Sequence, residues 1–424
     1  MTIVAFLLAF IGYFLFLNGK HVAFLTILVV LTFDFFGAFG ANDYSADAMV
    51  IMIVLIIGSQ LLSGKHPLSV KGDSIGRIIL ILLLWIIIRY VFSIFLNEET
   101  PIYGLKVIRH DLFLLSYFVL RQIRIERYSS FFKILIIVTI VVGFVGLVNS
   151  IINGFDGFVY ERKTIITLTL PLLFALVTKD LSPRFRVPLI VLFVVFIAMT
   201  LARGIFLATC LSIAFYYIFV KRISLGTVLL IVPAALAVIF LFSNMESSKS
   251  EGGSESITQE LADARNLGSY DSFSGGSFVL RFAMVWERGD YLLNHPQDLL
   301  FGVGAIHEDS NNNKFMFGIG SYKTIDEVRS KQMIDTEDVA FLSHWMRYGI
   351  VYLIIFLWFL VLSFKRVWKL KANLYMMPLF MLLISMCISV VSVDFFSRAN
   401  RFIIALMMLS MTYQYLQIQK KRLK

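Results

Sequence analysis

The sequence predicts an all-helical bundle of membrane spans, on three observations. Apolar residues make up 58% of the 424-residue chain and charged residues 16%, whereas soluble domains hold roughly half apolar and about a quarter charged residues. Mean hydropathy is correspondingly high at +0.82. The apolar residues also gather into runs close to the ~20 residues that a hydrocarbon core about 30 Å thick requires of one helix.

Taken in order, the runs predict spans near residues 2–18, 21–40, 46–63, 75–96, 106–121, 131–151, 164–178, 187–202, 203–220, 224–243, 338–362, 373–393 and 399–417. With the short runs 2–18 and 164–178 counted or not, that makes about 11–13 transmembrane helices. The amino terminus lacks a basic region and a small-residue cleavage site, so it reads as a retained span and not a signal peptide. The apolar stretch from Val187 to Val220 has 34 residues and would measure ~51 Å as one helix. It is therefore expected to form two helices that meet near Arg203 and Gly204.

One long polar segment interrupts the pattern and divides the chain into three parts: residues 1–243 with the first ten spans, 244–337 as a large loop, and 338–424 with the last spans. No tandem repeat or inverted symmetry is visible. If the loop is extracytoplasmic, 21 basic residues fall on the cytoplasmic side. Only seven lie in or beside the short outer turns: Lys106, Arg109, Arg162, Lys163, Arg203, Arg398 and Arg401. That asymmetry sets the orientation and accounts for most of the net charge of +10 without nucleic acid. The two cysteines, Cys210 and Cys387, lie in apolar runs, so neither a disulfide framework nor a thiolate metal site is expected.

The loop opens on the Gly- and Ser-rich stretch "SSKSEGGSESITQ", which reads as a flexible linker. From Ser277 to Leu293 the spacing of apolar residues turns helical, with Arg281 and Arg288 seven apart on one face. The following "NHPQ" stops that helix, because the residue before a proline is disfavoured in helical conformation. "GVGAIHEDSNNN" is Gly-containing but lacks the strand-to-helix context of a nucleotide loop.

Six arginines converge on the outer side: Arg109, Arg203, Arg281, Arg288, Arg398 and Arg401. Guanidinium groups grip phosphate bidentately at any relevant pH, which suits a diphosphate at the membrane edge. Snorkelling at helix ends is the alternative for each. Arg109, His110 and Asp111 sit just inside the fifth span, where Arg109 is a candidate ligand contact and Asp111 neutralises a neighbour. Arg89 and Asp34, both within spans, are expected in internal ion pairs. At the start of the eleventh span, Asp338, Leu342, Trp345 and Gly349 share one helical face. Asp338 or Glu337 is a candidate general base for a hydroxyl acceptor, although helix amino termini favour acids on dipole grounds alone. His344 lies deeper and reads as a core residue or a substrate contact. There is no Asp-x-Asp, HExxH or paired His-Cys spacing, so no metal and no cofactor is expected.

Three segments, in order, resemble the O-antigen polymerase and ligase superfamily, the Wzy-like membrane glycosyltransferases of bacterial surface polysaccharide assembly. They are "MTLARGIFLA", "SFVLRFAMVWERGDYLLNHPQDLLFGVGA" and "EDVAFLSHWMRYGIVYLIIFLWFLVL". The resemblance implies a GT-C-like bundle that is active on the outer face of the bacterial inner membrane. It implies an undecaprenyl-diphosphate-linked oligosaccharide as donor, no metal, and a chain-length regulator protein as a partner. By position, Arg203 and Arg281 match the family's diphosphate-binding arginines. Where the ligases carry a His-Asn pair, this chain has Asp338 preceded by Glu337, which favours a polymerase.

The expected activity is inverting transfer that joins lipid-linked repeat units, with Asp338, Glu337, Arg203 and Arg281 catalytic and Arg109, Arg288, His344, Arg398 and Arg401 binding substrate. A ligase acting on a lipid core or other acceptor is the alternative within the family. A transporter or flippase is the alternative outside it, and would predict internal repeats and midplane helices broken by Gly or Pro.

Overall fold

The computed structural model describes residues 2–32, 44–109, 111–152, 165–177, 182–199, 203–221, 277–307, 339, 341–371, 373, 375–389 and 399–422. Among these residues every regular element is helical. Four helices are long and apolar enough to cross a bilayer, Ser45–Leu62, Ser74–Leu96, Glu126–Val145 and Leu342–Lys369, with shorter apolar helices beside them. The chain is an all-helical protein suited to a membrane. The expected tenth span, 224–243, lies outside the described residues, as does Asp34.

The amino-terminal part comprises α1 (Thr2–Leu17), α2 (His21–Thr32), α3 (Tyr44–Leu62), α4 (Ser74–Leu96), α5 (Pro101–Ile108), α6 (Ser116–Leu120) and α7 (Glu126–Ile152). Next come α8 (Ile165–Val177), α9 (Pro183–Met199) and α10 (Arg203–Phe215). In the 34-residue apolar stretch α9 is described to Met199 and α10 from Arg203, and the residues between them, 200–202, lie outside the described residues. In the polar segment, α11 (Ser277–Asn294) and α12 (Pro296–Phe301) meet at the "NHPQ" stop. The chain closes with α13 (Leu342–Lys369), α14 (Met376–Ile388) and α15 (Ala399–Arg422).

Helix α15 runs through the centre, against α6, α14 and the short turn before α6. Its residues from Phe402 to Met411 are all buried, as expected of a helix that is apolar on every side. Lipid tails are as apolar as leucine, so packing contacts and polar ties must hold such helices together.

The largest polar tie lies at one end of α4. Asp73 caps that helix by accepting from Gly76 N. Its fully buried carboxylate also accepts from the Tyr117 hydroxyl at 2.9 Å, Arg121 Nη1 at 3.1 Å and Arg366 Nη2 at 3.0 Å. Arg121 continues to the carbonyls of Pro67 and Ser69, and Arg366 to Ser74 Oγ. Three segments distant in sequence are thereby fixed to one anion.

Two expected spans differ from observation. The run 106–121 is not one helix: α5 ends at Ile108, a 3-10 turn covers Asp111–Leu115, and α6 follows. The chain tightens there around Asp111, whose buried carboxylate is held by two side chains of α13. The run from 338 is not one straight helix either. Helix α13 starts at Leu342 behind a left-handed Phe341 (φ 69°) and breaks at Gly349 (φ 73°, ψ −177°). The expected single face through Leu342, Trp345 and Gly349 is therefore interrupted at its last member.

The break has a structural cause. A non-helical Gly349 releases the carbonyls of the turn before it, and buried carbonyls require donors. Met346 O accepts from Val303 N at 2.7 Å, Arg347 O from Gly304 N at 2.9 Å, and Tyr348 O from the Trp85 indole N–H at 2.9 Å. The segment Gly302–Ile306 is thus threaded, fully buried, between α4 and α13. From the other side Arg89 Nη2 donates to Gly302 O and Asn97 Nδ2 to Val303 O, each at 2.5 Å. Close packing demands glycine on both strands of this contact. A Cβ at Gly302 would strike the Arg347 carbonyl, and one at Gly349 would strike the Leu300 carbonyl.

Candidate functional site

The first turns of α13 are covered on two sides, with Arg281 and Arg288 on the first and Asp111, the partner of His344, on the second. On the first side is α11. Its Met284 packs with Val339 and Leu342, and its Leu292 packs with Val303, Ile306 and Met346, with Trp345 touching both groups. Arg288 lies between Met284 and Leu292 on the same helical face and is wholly buried. Its Nη1 contacts Glu287 Oε2 at 3.3 Å and the Met284 carbonyl at 3.4 Å. Burial pulls its pKa down to about 10, against the pull of Glu287, which leaves it cationic at neutral pH. Arg281 is two turns earlier on that face and half-buried.

The corner between α11 and α12 is rigid. The Tyr291 hydroxyl donates to Asp298 Oδ2 at 2.7 Å and the Tyr291 ring stacks on His295 at 4.3 Å. Burial and the Asp298 carboxylate hold the Tyr291 phenol well above its usual pKa. The Tyr291 phenol therefore stays protonated and keeps donating to Asp298.

On the second side of α13 is the 3-10 turn. Asp111 Oδ1 pairs with His344 Nε2 at 3.1 Å, and Asp111 Oδ2 accepts from the Tyr348 hydroxyl at 2.5 Å. The His344 and Asp111 side chains are only 5% and 8% exposed, so this carboxylate fixes the imidazole orientation. The Tyr352 ring stacks on His344 at 5.0 Å, closer than Tyr348 at 5.9 Å, because the break at Gly349 folds the next turn back. Asp111 thus takes His344 and Tyr348 as its partners.

No protein-family model and no curated protein matches this chain. Its chemistry is therefore read from the residues themselves.

Arg109 caps α5 and pairs with Asp47 of α3 at 3.2 Å while remaining 39% exposed. Arg89 does not form the expected ion pair. Its guanidinium goes to the Gly302 carbonyl and lies 5.9 Å from the Phe92 ring. Arg203 is the first residue of α10, and Arg401 lies in the first turn of α15. Glu337, Asp338, Arg398 and His110 lie outside the described residues.

Four participants escaped the sequence reading: Tyr348, Tyr352 and the carbonyls of Met346 and Arg347. The tyrosines carried a signal, since His344, Tyr348, Tyr352 and Phe356 recur every four residues and so mark one face of a helix. The carbonyls carried none, because backbone groups become available only where a helix breaks.

Proposed function

We propose that this protein is a membrane glycosyltransferase that polymerises polysaccharide from undecaprenyl-diphosphate-linked oligosaccharide repeat units at the outer face of the bacterial inner membrane. The observation that carries the reading is the cationic face of α11. A wholly buried Arg288, with Arg281 on the same face, is pressed against the first turns of α13. Burying a guanidinium is costly and recurs where an anion must be recognised.

In this reading Arg203 and Arg281 hold the donor diphosphate, Arg109, Arg398 and Arg401 extend the cationic rim, and Arg288 adds its charge from the buried face of α11 behind it. The acceptor hydroxyl oxygen attacks the anomeric carbon opposite the diphosphate, and the bond from that carbon to the diphosphate oxygen breaks. The acceptor proton passes to Asp338 or Glu337, and the lipid diphosphate leaves with its charge stabilised by the arginines. His344, held by Asp111, positions the acceptor beside them. The acidic pair at positions 337 and 338 favours polymerisation over transfer to a lipid core.

Incubating the purified protein in lipid with its repeat-unit substrate, without added metal, should give a ladder of lengths on a gel. Arg203→Lys and Arg281→Lys should each lower polymer formation by about 100-fold or more, the scale for removing one well-placed anion donor. Near-normal ladders from both variants would remove these arginines from the mechanism. An unchanged single band from wild-type protein with verified substrate would turn attention to a lipid-core acceptor, then to transport.

A further inference from the structure

Helix α11 has three faces, and the site uses only one of them. Met284, Arg288 and Leu292 face α13. Asp290 and Asn294 are exposed on a polar strip. Phe282, Trp286 and Leu293 form a third, apolar face that is 50%, 60% and 69% exposed. At 100° per residue these three lie within about 40° of arc. Helix α12 extends the apolar surface through Leu300 and Phe301, 46% and 44% exposed.

That surface joins the exposed apolar flank of the bundle. The Phe301 ring meets Trp85 at 6.2 Å, and on the same helix Ile81, Leu84 and Ile87 are exposed. Trp85 is the middle residue of α4, eleven positions from either end, or ~16 Å along the axis. Helix α13 shows the complementary pattern. Its residues up to Gly349 are buried or half-buried between α11, α12 and the turn at Asp111, whereas Ile354, Leu357, Trp358 and Val361 beyond the break are exposed. The α11–α12 unit therefore covers the part of α13 that the apolar flank would otherwise continue. Non-helical backbone is tolerated at membrane depth only where protein buries it. Gly302–Ile306 meets that condition, with Val303 N, Gly304 N, Gly302 O and Val303 O all bonded.

We propose that α11 and α12 form a re-entrant element seated in lipid. Helix α11 lies along the bilayer surface with Phe282, Trp286 and Leu293 among the upper acyl chains. Helix α12 descends beside α4 to the level of Trp85, and Gly302–Ile306 carries the chain back up inside the protein. The partner of the third face is bilayer lipid, and Arg288 is thereby held at headgroup level. The inference is independent of the glycosyl-transfer reading, since it concerns depth and not turnover.

The test uses full-length protein in phosphatidylcholine–phosphatidylglycerol vesicles, with Cys210→Ala and Cys387→Ala as background. Nitroxide is attached singly at Phe282→Cys, Trp286→Cys, Leu293→Cys, Phe301→Cys, Asp290→Cys and Asn294→Cys, and collisions with oxygen and with a water-soluble nickel chelate are compared. Oxygen should dominate several-fold at the four apolar positions, most at Phe301→Cys, and nickel at the two polar ones. Nickel dominating at Phe282→Cys and Trp286→Cys would overturn the proposal. So would low collision with both reagents there, which would mean that protein, such as a second copy, covers the face. If labelling disturbs folding, the difference in fluorescence between wild type and Trp286→Phe gives the same answer. Trp286 should be quenched by brominated lipid and spared by acrylamide; the reverse would overturn the proposal.

Discussion

Two buried aspartates hold α13 at opposite ends, and they do so differently. Asp73 grips the end near Arg366 with two guanidiniums and a phenol around one carboxylate. Asp111 grips the end near Leu342 with an imidazole and a phenol. Three donors from two other segments converge on the Asp73 carboxylate, so that end is a clamp. Asp111 has only two such partners among the described residues, and one of them is a histidine, the side-chain type whose charge changes most readily near neutrality. One end of α13 is thus locked, while the other is held by groups suited to proton chemistry.

The comparison can be broken most forcefully at Asp73. Asp73→Ala strands two buried arginines and should cost about 3–5 kcal/mol, as breaking a buried ion pair does. Thermal unfolding in detergent should show a lower midpoint or loss of folded material, while Asp111→Asn at the other end keeps the fold. Next in size is Gly349→Ala, which puts a side chain at φ 73° against the Leu300 carbonyl. The left-handed penalty and overpacking together predict a loss of about 2–4 kcal/mol, read from the same melts.

Tyr348→Phe should cost about 1.5–3 kcal/mol, the range for a hydrogen bond to a charged group. The comparison sharpens if that variant also alters the pH profile of polymer formation, whereas Tyr117→Phe at the clamp lowers stability alone. Arg109→Ala should change stability by at most about 1 kcal/mol, because its pair with Asp47 is partly exposed. A larger loss would show that this pair belongs with the buried group.

Local pattern in the sequence carried most of the helices, and for a physical reason. Length and apolar run are properties of a segment alone, so α4, α7 and α11 were legible. The breaks were not. Asp111 bends the fifth run because His344 and Tyr348 lie more than 230 positions away in the chain. Gly349 breaks α13 because Val303, Gly304 and Trp85 supply donors from two other segments. Arg89 was read as an ion pair because a guanidinium in an apolar run demands an acceptor, and periodicity cannot reveal a distant carbonyl. At the site, the pairing of Arg281 and Arg288 on one face was legible from their spacing. That this face would be the buried one was not, because Phe282, Trp286 and Leu293 offer the opposite side as an equally apolar choice.

The contact between Arg89 and Gly302 also bears on how the chain is made. Helix α4 leaves the ribosome 213 residues before the carbonyl that receives its guanidinium, an interval of roughly 10–40 s at about 5–20 residues per second. During that time an arginine sits well inside an otherwise apolar helix, at a cost of about 3 kcal/mol if lipid surrounds it. The carboxy-terminal half of α4 reaches its final surroundings only after the segment containing Gly302 has been synthesised and threaded. Chains stopped before residue 296 should therefore expose Arg89 to quality-control proteases, and Arg89→Leu should relieve that exposure in the truncated chain while weakening the complete one.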